Sequence, residues 1–164
     1  MSTEYINGFY DARNLAWESK KEQLESLDPR LKQIGGKAFN KEFRTINLDF
    51  GRQTGNTYWM MNKCSELSLN EKTKVKTTIK TEHCFCFFLN HEIESRFWQS
   101  LCDFKKEKIN QKSTNIHTYT FYTIKNGISH INNSYAFIDV SCMLGQYELE
   151  RIMHSDQWEI ICLL

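Results

Sequence analysis

Thr45-Ile46-Asn47-Leu48-Asp49-Phe50-Gly51-Arg52-Gln53-Thr54-Gly55-Asn56-Thr57, running on into Tyr58-Trp59-Met60-Met61, decides how this chain is read. Ile46, Leu48 and Phe50 alternate with polar residues, the pattern of a strand with one buried face, and the strand is predicted over 44–50. Asn47 and Asp49 on its other face argue against a fully buried central strand. Gly51 and Gly55 then bound a short polar loop. Trp59, Met60, Met61, Cys64 and Leu67 follow at helical spacing, which predicts a helix over about 57–67. A helix that starts at such a loop points its unpaired N–H groups and the positive end of its dipole at whatever lies above, a geometry suited to anions.

The segments on either side fill out an α/β pattern. Residues 3–27 read as a helix with apolar positions Ile6, Phe9, Tyr10, Ala12, Leu15, Ala16, Leu24 and Leu27, ended by Asp28-Pro29. Residues 30–41, with Gly35-Gly36, read as a loop with a short helical turn. The lysine-bearing stretch 68–82 reads as a solvent-facing strand or a connection. His83-Cys-Phe-Cys-Phe-Phe-Leu89 is a buried strand, followed by a helix over 91–108 that Asn90 can cap. A polar loop over 109–115 leads to a Thr-, Tyr- and Phe-rich strand over 116–124, and Lys125-Asn126-Gly127 is a turn. Tyr135-Ala-Phe-Ile-Asp-Val140 is an apolar strand with one acid, a short helix spans 147–154, and 158–164 is the last strand. Strands alternating with helices predict a three-layer α/β sandwich. Its mostly parallel sheet has about five strands and is covered on both faces. One domain of residues 1–164 is expected, with an N-terminal helical extension over 1–43 and the core over 44–164.

Composition excludes several function classes. The 164 residues carry a formal net charge of +1, so no global field draws the chain to nucleic acid or to an anionic membrane. No apolar run approaches the ~18–20 residues that span a bilayer. The first residues show no basic region followed by an apolar core, which predicts a cytosolic protein. The six scattered cysteines are then read as reduced, buried thiols. Abundant Asn, Lys and Ile suggest an AT-rich coding genome such as that of a phage, with the host cytoplasm as the compartment.

A phosphate-binding loop of the P-loop kind needs glycines where the backbone wraps the phosphates, a helix starting at the loop, and a lysine followed by Ser or Thr. Gly55 and Thr57 satisfy this pattern, whereas Asn56 stands at the lysine position. Asn47-Leu-Asp-Phe-Gly-Arg-Gln-Thr-Gly-Asn-Thr57 resembles the variant Walker A loop of phage large-terminase and related phage ATPases, which carry Arg-Gln-x-Gly-Lys-Thr/Ser. Arg52, Gln53, Gly55 and Thr57 match, and Asn56 does not. Tyr135-Ala-Phe-Ile-Asp139 is similar to a Walker B strand, although Val140 follows where hydrolytic members have glutamate. The likeness covers roughly 44–164. It implies a P-loop NTPase-like core in which Gly51, Arg52, Gln53, Thr54, Gly55, Asn56 and Thr57 would face ATP. Thr57 and Asp139 would hold Mg²⁺, and in an active enzyme Arg52 and Asp139 would carry the chemistry. Both departures remove catalytic groups: the lysine charge and the base that activates water. Arg52 could restore part of the charge, as could Lys37, Lys41 or a lysine of another chain.

The remaining clusters read as structural. Cys84 and Cys86, flanked by His83 and His91, lack a second ligand pair and are taken as core. Cys142 has no nucleophile-elbow pattern around it. The lysines of 72–80 and the aromatics of 117–122 form a weak nucleic-acid signal. Trp17, Trp59, Trp98 and Trp158 read as core, and the N-terminal helix is a natural docking element. The function expected first is that of a small phage-type protein. It keeps a degenerate ATPase scaffold and binds a host or viral protein, with nucleotide as a candidate ligand. An ATPase of phage DNA metabolism is the alternative, and a nucleic-acid-binding module the third.

Overall fold

The computed structural model describes residues 3–32, 34–51, 54–69, 82–108, 115–132, 134–139 and 146–164. Among these, five strands form one parallel sheet: β1 (Thr45–Asn47), β2 (His83–Phe88), β3 (Ile116–Thr120), β4 (Ser134–Ile138) and β5 (Trp158–Leu163), in the order β1-β5-β4-β2-β3. The helices are α1 (Thr3–Ser26), α2 (Pro29–Lys32), α3 (Gly36–Phe39), α4 (Asn56–Leu69), α5 (His91–Lys108), α6 (Phe121–Ile124) and α7 (Gln146–His154). The expected α/β sandwich with a five-stranded parallel sheet is therefore present. No helix among the described residues is long and apolar enough to cross a membrane.

Strand order explains the layers. The chain moves across the sheet from β1 to β2 to β3, then reverses to β4 and β5. Right-handed crossovers put the helices of the outward run on one face and those of the return run on the other. Trp17 of α1, Trp59, Met60 and Cys64 of α4 and Phe97 and Leu101 of α5 cover the face formed by Cys84, Cys86, Phe88, Tyr135, Phe137, Ile160 and Cys162. Ile124 of α6 and Ile152 and Met153 of α7 cover Phe85, Phe87, Ala136, Ile138 and Ile161 on the opposite face. Successive strand residues thus serve different cores, as the two-residue period requires. The strands are apolar on both faces, so they read as continuous hydrophobic runs. Trp17 fastens α1 to the first core by stacking on Phe137 at 5.9 Å and meeting Trp59 edge-on at 6.1 Å.

Three local expectations need correction. The first strand is shorter than 44–50: Arg44 belongs to a π-helical turn (Asn40–Arg44), and the Asp49 N–H turns back to the Asn47 side chain at 3.0 Å. Leu48 still donates to Leu163 C=O at 2.7 Å. The strand expected over 116–124 stops at Thr120, which caps α6. Its hydroxyl accepts from the Thr123 N–H while the Thr123 hydroxyl accepts from the Thr120 N–H. Residues expected as loop over 30–41 hold α2, α3 and the start of the π turn. Most of the stretch 68–82, the polar loop over 109–114 and Val140 lie outside the described residues.

The π turn is tied to the return layer. Buried Asn40 donates to Met153 C=O at 2.7 Å and Ser155 C=O at 2.8 Å, satisfying carbonyls at the end of α7. Asp156 accepts from the Gly36 N–H at 2.5 Å, and a Cβ at Gly35 (φ 57°) would stand 3.0 Å from that carboxylate. Glycine at 35 answers both the left-handed backbone and this close approach.

Cys64, Cys84, Cys86 and Cys162 are buried in the first core outside any disulfide, with the Cys64 and Cys86 sulfurs 3.6 Å apart, and Cys102 is exposed. Burial pushes the Cys64 and Cys162 thiols well up. Since the thiolate is the reactive form, a thiol reagent on native protein is expected to modify Cys102 before any of the four core cysteines. The four core cysteines should react only on unfolding, as peptide mapping of partially labelled protein would reveal.

Candidate functional site

Main-chain bonds extend the sheet at its C-terminal edge. Leu48 N–H reaches Leu163 C=O, Leu164 N–H reaches Ile138 C=O at 2.8 Å, and Asp139 N–H reaches Phe87 C=O at 3.2 Å. The loop after β1 and Asp139 after β4 therefore open on the same edge. One strand, β5, separates β1 from β4, a span of about 10 Å from two inter-strand spacings. Asp139 is half-buried and Thr57 exposed. Arg52 and Gln53 lie outside the described residues.

The described part of the loop is organised by a residue from elsewhere. Arg13 of α1 is fully buried, at 0% exposure. Its Nε donates to Leu48 C=O at 3.1 Å and its Nη1 to Thr54 C=O at 2.9 Å. Its Nη2 donates to the Thr54 hydroxyl at 2.7 Å and also to Asn56 Oδ1. The guanidinium carbon lies 5.0 Å from the Phe50 ring centre. Loop carbonyls and side-chain oxygens thus converge on a cation. A phosphate cradle has the opposite polarity, with N–H groups converging on an anion.

An internal anion completes the arrangement. Asp49 Oδ1 accepts from the Gly51 N–H at 2.9 Å and from Asn56 Nδ2 at 3.3 Å. Gly51 takes φ 95° and Gly55 φ 81°, both in the left-handed region. Gly55 C=O accepts from the Trp59 N–H at 2.9 Å, which starts α4. Thr54 is buried, with its hydroxyl within 2.8 Å of Gly51 C=O and 3.1 Å of Asn56 Oδ1. Asn56 thus bridges cation and anion: its carbonyl oxygen meets Arg13 and its amide meets Asp49. Burial pulls the Arg13 pKa down, while the Asp49 carboxylate opposes that shift.

Of the other cations considered as lysine substitutes, Lys37 is paired with Glu150 of α7 at 2.8 Å, and Lys41 is exposed. A second buried cation lies in α4: Lys63 Nζ is 5.5 Å from the Trp17 ring centre and 2.9 Å from Glu66. The cysteine–histidine cluster is dispersed, since Cys84 and Cys86 face the first core while Phe85 and Phe87, in register with His83, face the second. No group of three metal-ligating side chains occurs among the described residues.

Sequence reasoning missed Arg13. The signal was present as a cation on the stripe Tyr10, Arg13, Trp17, where helical spacing calls for an inward-facing residue. No family model matches this chain, and neither a curated protein nor a solved structure matches it.

Removing the Arg13 side chain would leave the Leu48 and Thr54 carbonyls buried without their donor, at ~1–3 kcal/mol each. Arg13→Ala is expected to lower unfolding free energy by roughly 3 kcal/mol or more in urea titration. Arg13→Lys should recover only part of this, because an ammonium lacks the planar fork that reaches both carbonyls.

Proposed function

We propose that this chain is a binding protein of the phage type, built on a degenerate nucleotide-binding scaffold, that engages a host or viral protein and does not turn over nucleotide. The observation that carries this reading is the Arg13 guanidinium bonded to Leu48, Thr54 and Asn56. Among the described residues, the Leu48 and Thr54 carbonyls and the Asn56 side-chain oxygen already face a cation of the chain itself, and the Gly51 N–H is satisfied by Asp49. A γ-phosphate entering the loop would have to displace that carboxylate and would meet the lone pairs of carbonyls. Asn56 belongs in this arrangement, since lysine at 56 would set a second positive charge against Arg13.

Exposed apolar side chains around the same loop support a protein partner. Phe50 and Tyr58 are exposed, and each touches an aromatic residue of α1: Phe9 to Phe50 at 5.4 Å and Tyr10 to Tyr58 at 6.2 Å. Aromatic anchors of this kind dominate the energetics of protein interfaces.

Calorimetry with ATP and Mg²⁺ on the native chain is expected to give no saturable heat, and no phosphate should be released. Phosphate release abolished by Asp139→Ala would overturn the proposal. Asn56→Lys is expected to lower stability by about 1–3 kcal/mol, through loss of a buried acceptor and like-charge contact, without producing ATP binding. A gain of ATP affinity in that variant would identify the loop as a phosphate site that lacks only its lysine.

A further inference from the structure

At the opposite end of the sheet, β2 and β3 begin with a pair of imidazoles that the loop does not involve. His83 Nδ1 and His117 Nε2 stand 3.1 Å apart. Their ring centres are 5.3 Å apart and their planes differ by 23°. The N···N line therefore runs nearly through both ring centres, and each ring aims its nitrogen straight at the other. A metal ion held by both would need the lone pairs to converge off that line, so the pair fits a direct N–H···N hydrogen bond. Phe85 stacks on His117 at 4.6 Å, which fixes the imidazole against the second core. Both rings are half-buried. Strand β3 is a sheet edge with β2 as its sole strand neighbour among the described residues.

We infer that His83 and His117 form a proton-operated clasp that fastens the edge strand β3 to β2 at neutral pH and releases it when both rings are charged. With both rings neutral, one N–H donates to the other ring's lone pair. One added proton leaves an imidazolium donating to an imidazole, so the bond survives. A second proton removes the remaining lone pair and sets two donors and two charges head to head.

Burial and the neighbouring His83 both push the His117 pKa down from its ordinary value near 6.5. A histidine with a lowered folded pKa contributes stability that is complete above the unfolded value and is lost as pH falls through the folded one. The window therefore opens below about pH 6.5.

Among the described residues, the other titratable groups of the surrounding elements do not hold the pair. The Glu82 carboxylate accepts from Tyr135 on the opposite face at 3.1 Å, and the Tyr119 hydroxyl bonds Ser129 at 3.1 Å. His130 and Lys125 on the segment after α6 are exposed, Arg151 of α7 bonds Lys125 C=O, and Glu159 of β5 is exposed.

The test is amide hydrogen exchange of the full chain, expressed as protection factors, at pH 7.5 and pH 5.0. Protection of β3 is expected to drop at least tenfold more than that of β4 in the native protein. His117→Gln can still hydrogen-bond His83 but cannot be charged, so it should remove that excess loss. An equal loss in native and His117→Gln protein would overturn the clasp, as would β3 tracking β4. Proton NMR titration of the native rings is an independent check should the variant not fold. The His117 ring is expected to titrate below 6.5, and a midpoint at or above that value would equally overturn the inference.

Discussion

A single arginine, withdrawn from water, fixes how the first helix, the first strand and the fourth helix meet. Charged groups this deep in a protein persist only where their hydrogen bonds are supplied in full. Arg13 obtains two carbonyls, a hydroxyl and an amide oxygen from 48–56, together with the face of Phe50. The loop in turn obtains a shape. Its glycines supply left-handed corners, Asp49 and Asn47 fold its entry back on itself, and Asn56 closes it onto α4. Docking of α1 through Trp17 and ordering of the loop through Arg13 are therefore one event, since the two residues lie four apart on the same helix.

This interaction changes the meaning of residue 56. By sequence alone Asn56 stands out as a missing lysine. In the structure the same amide holds a guanidinium on one side and a carboxylate on the other. A loop that carries its own cation and anion has less need of either from a ligand. The glycine spacing that suggested a phosphate cradle is equally what an arginine-centred turn requires.

The fold was legible where periodicity was strong. The apolar runs at 83–88, 134–138 and 158–163 and the helices at 91–108 and 147–154 lie close to where hydropathy puts them. Sequence erred where two short polar side chains redirected the backbone: Thr120 with Thr123 ended a strand early, and Asn47 with Asp49 ended another. Position of a strand within the sheet is not a local property, so β1 at an edge followed only faintly from Asn47 and Asp49. The centre of the candidate site was missed for a different reason. Arg13 and Asn56 are 43 residues apart, and hydropathy patterns score an arginine as surface. The His83–His117 pair escaped likewise, because parallel pairing of β2 with β3 brings together residues 34 apart.

Strand order also sets an assembly sequence. β1 bonds only to β5 among the described strands, with Thr45 opposite Ile161. Closing that contact is entropically expensive and slow compared with local pairing. While β5 is unformed, β1 has no ladder to join, and this end of the chain is held without it, by contacts such as those of α1 with Trp59 and Phe137 and of Arg13 with the loop. The segment that carries α1 and β1 thus precedes by more than 100 residues the strand its ladder needs. Until residues 158–163 join the sheet, the first core lacks Ile160 and Cys162 and is incomplete beside β4. Chaperone engagement or premature association would be concentrated in that interval.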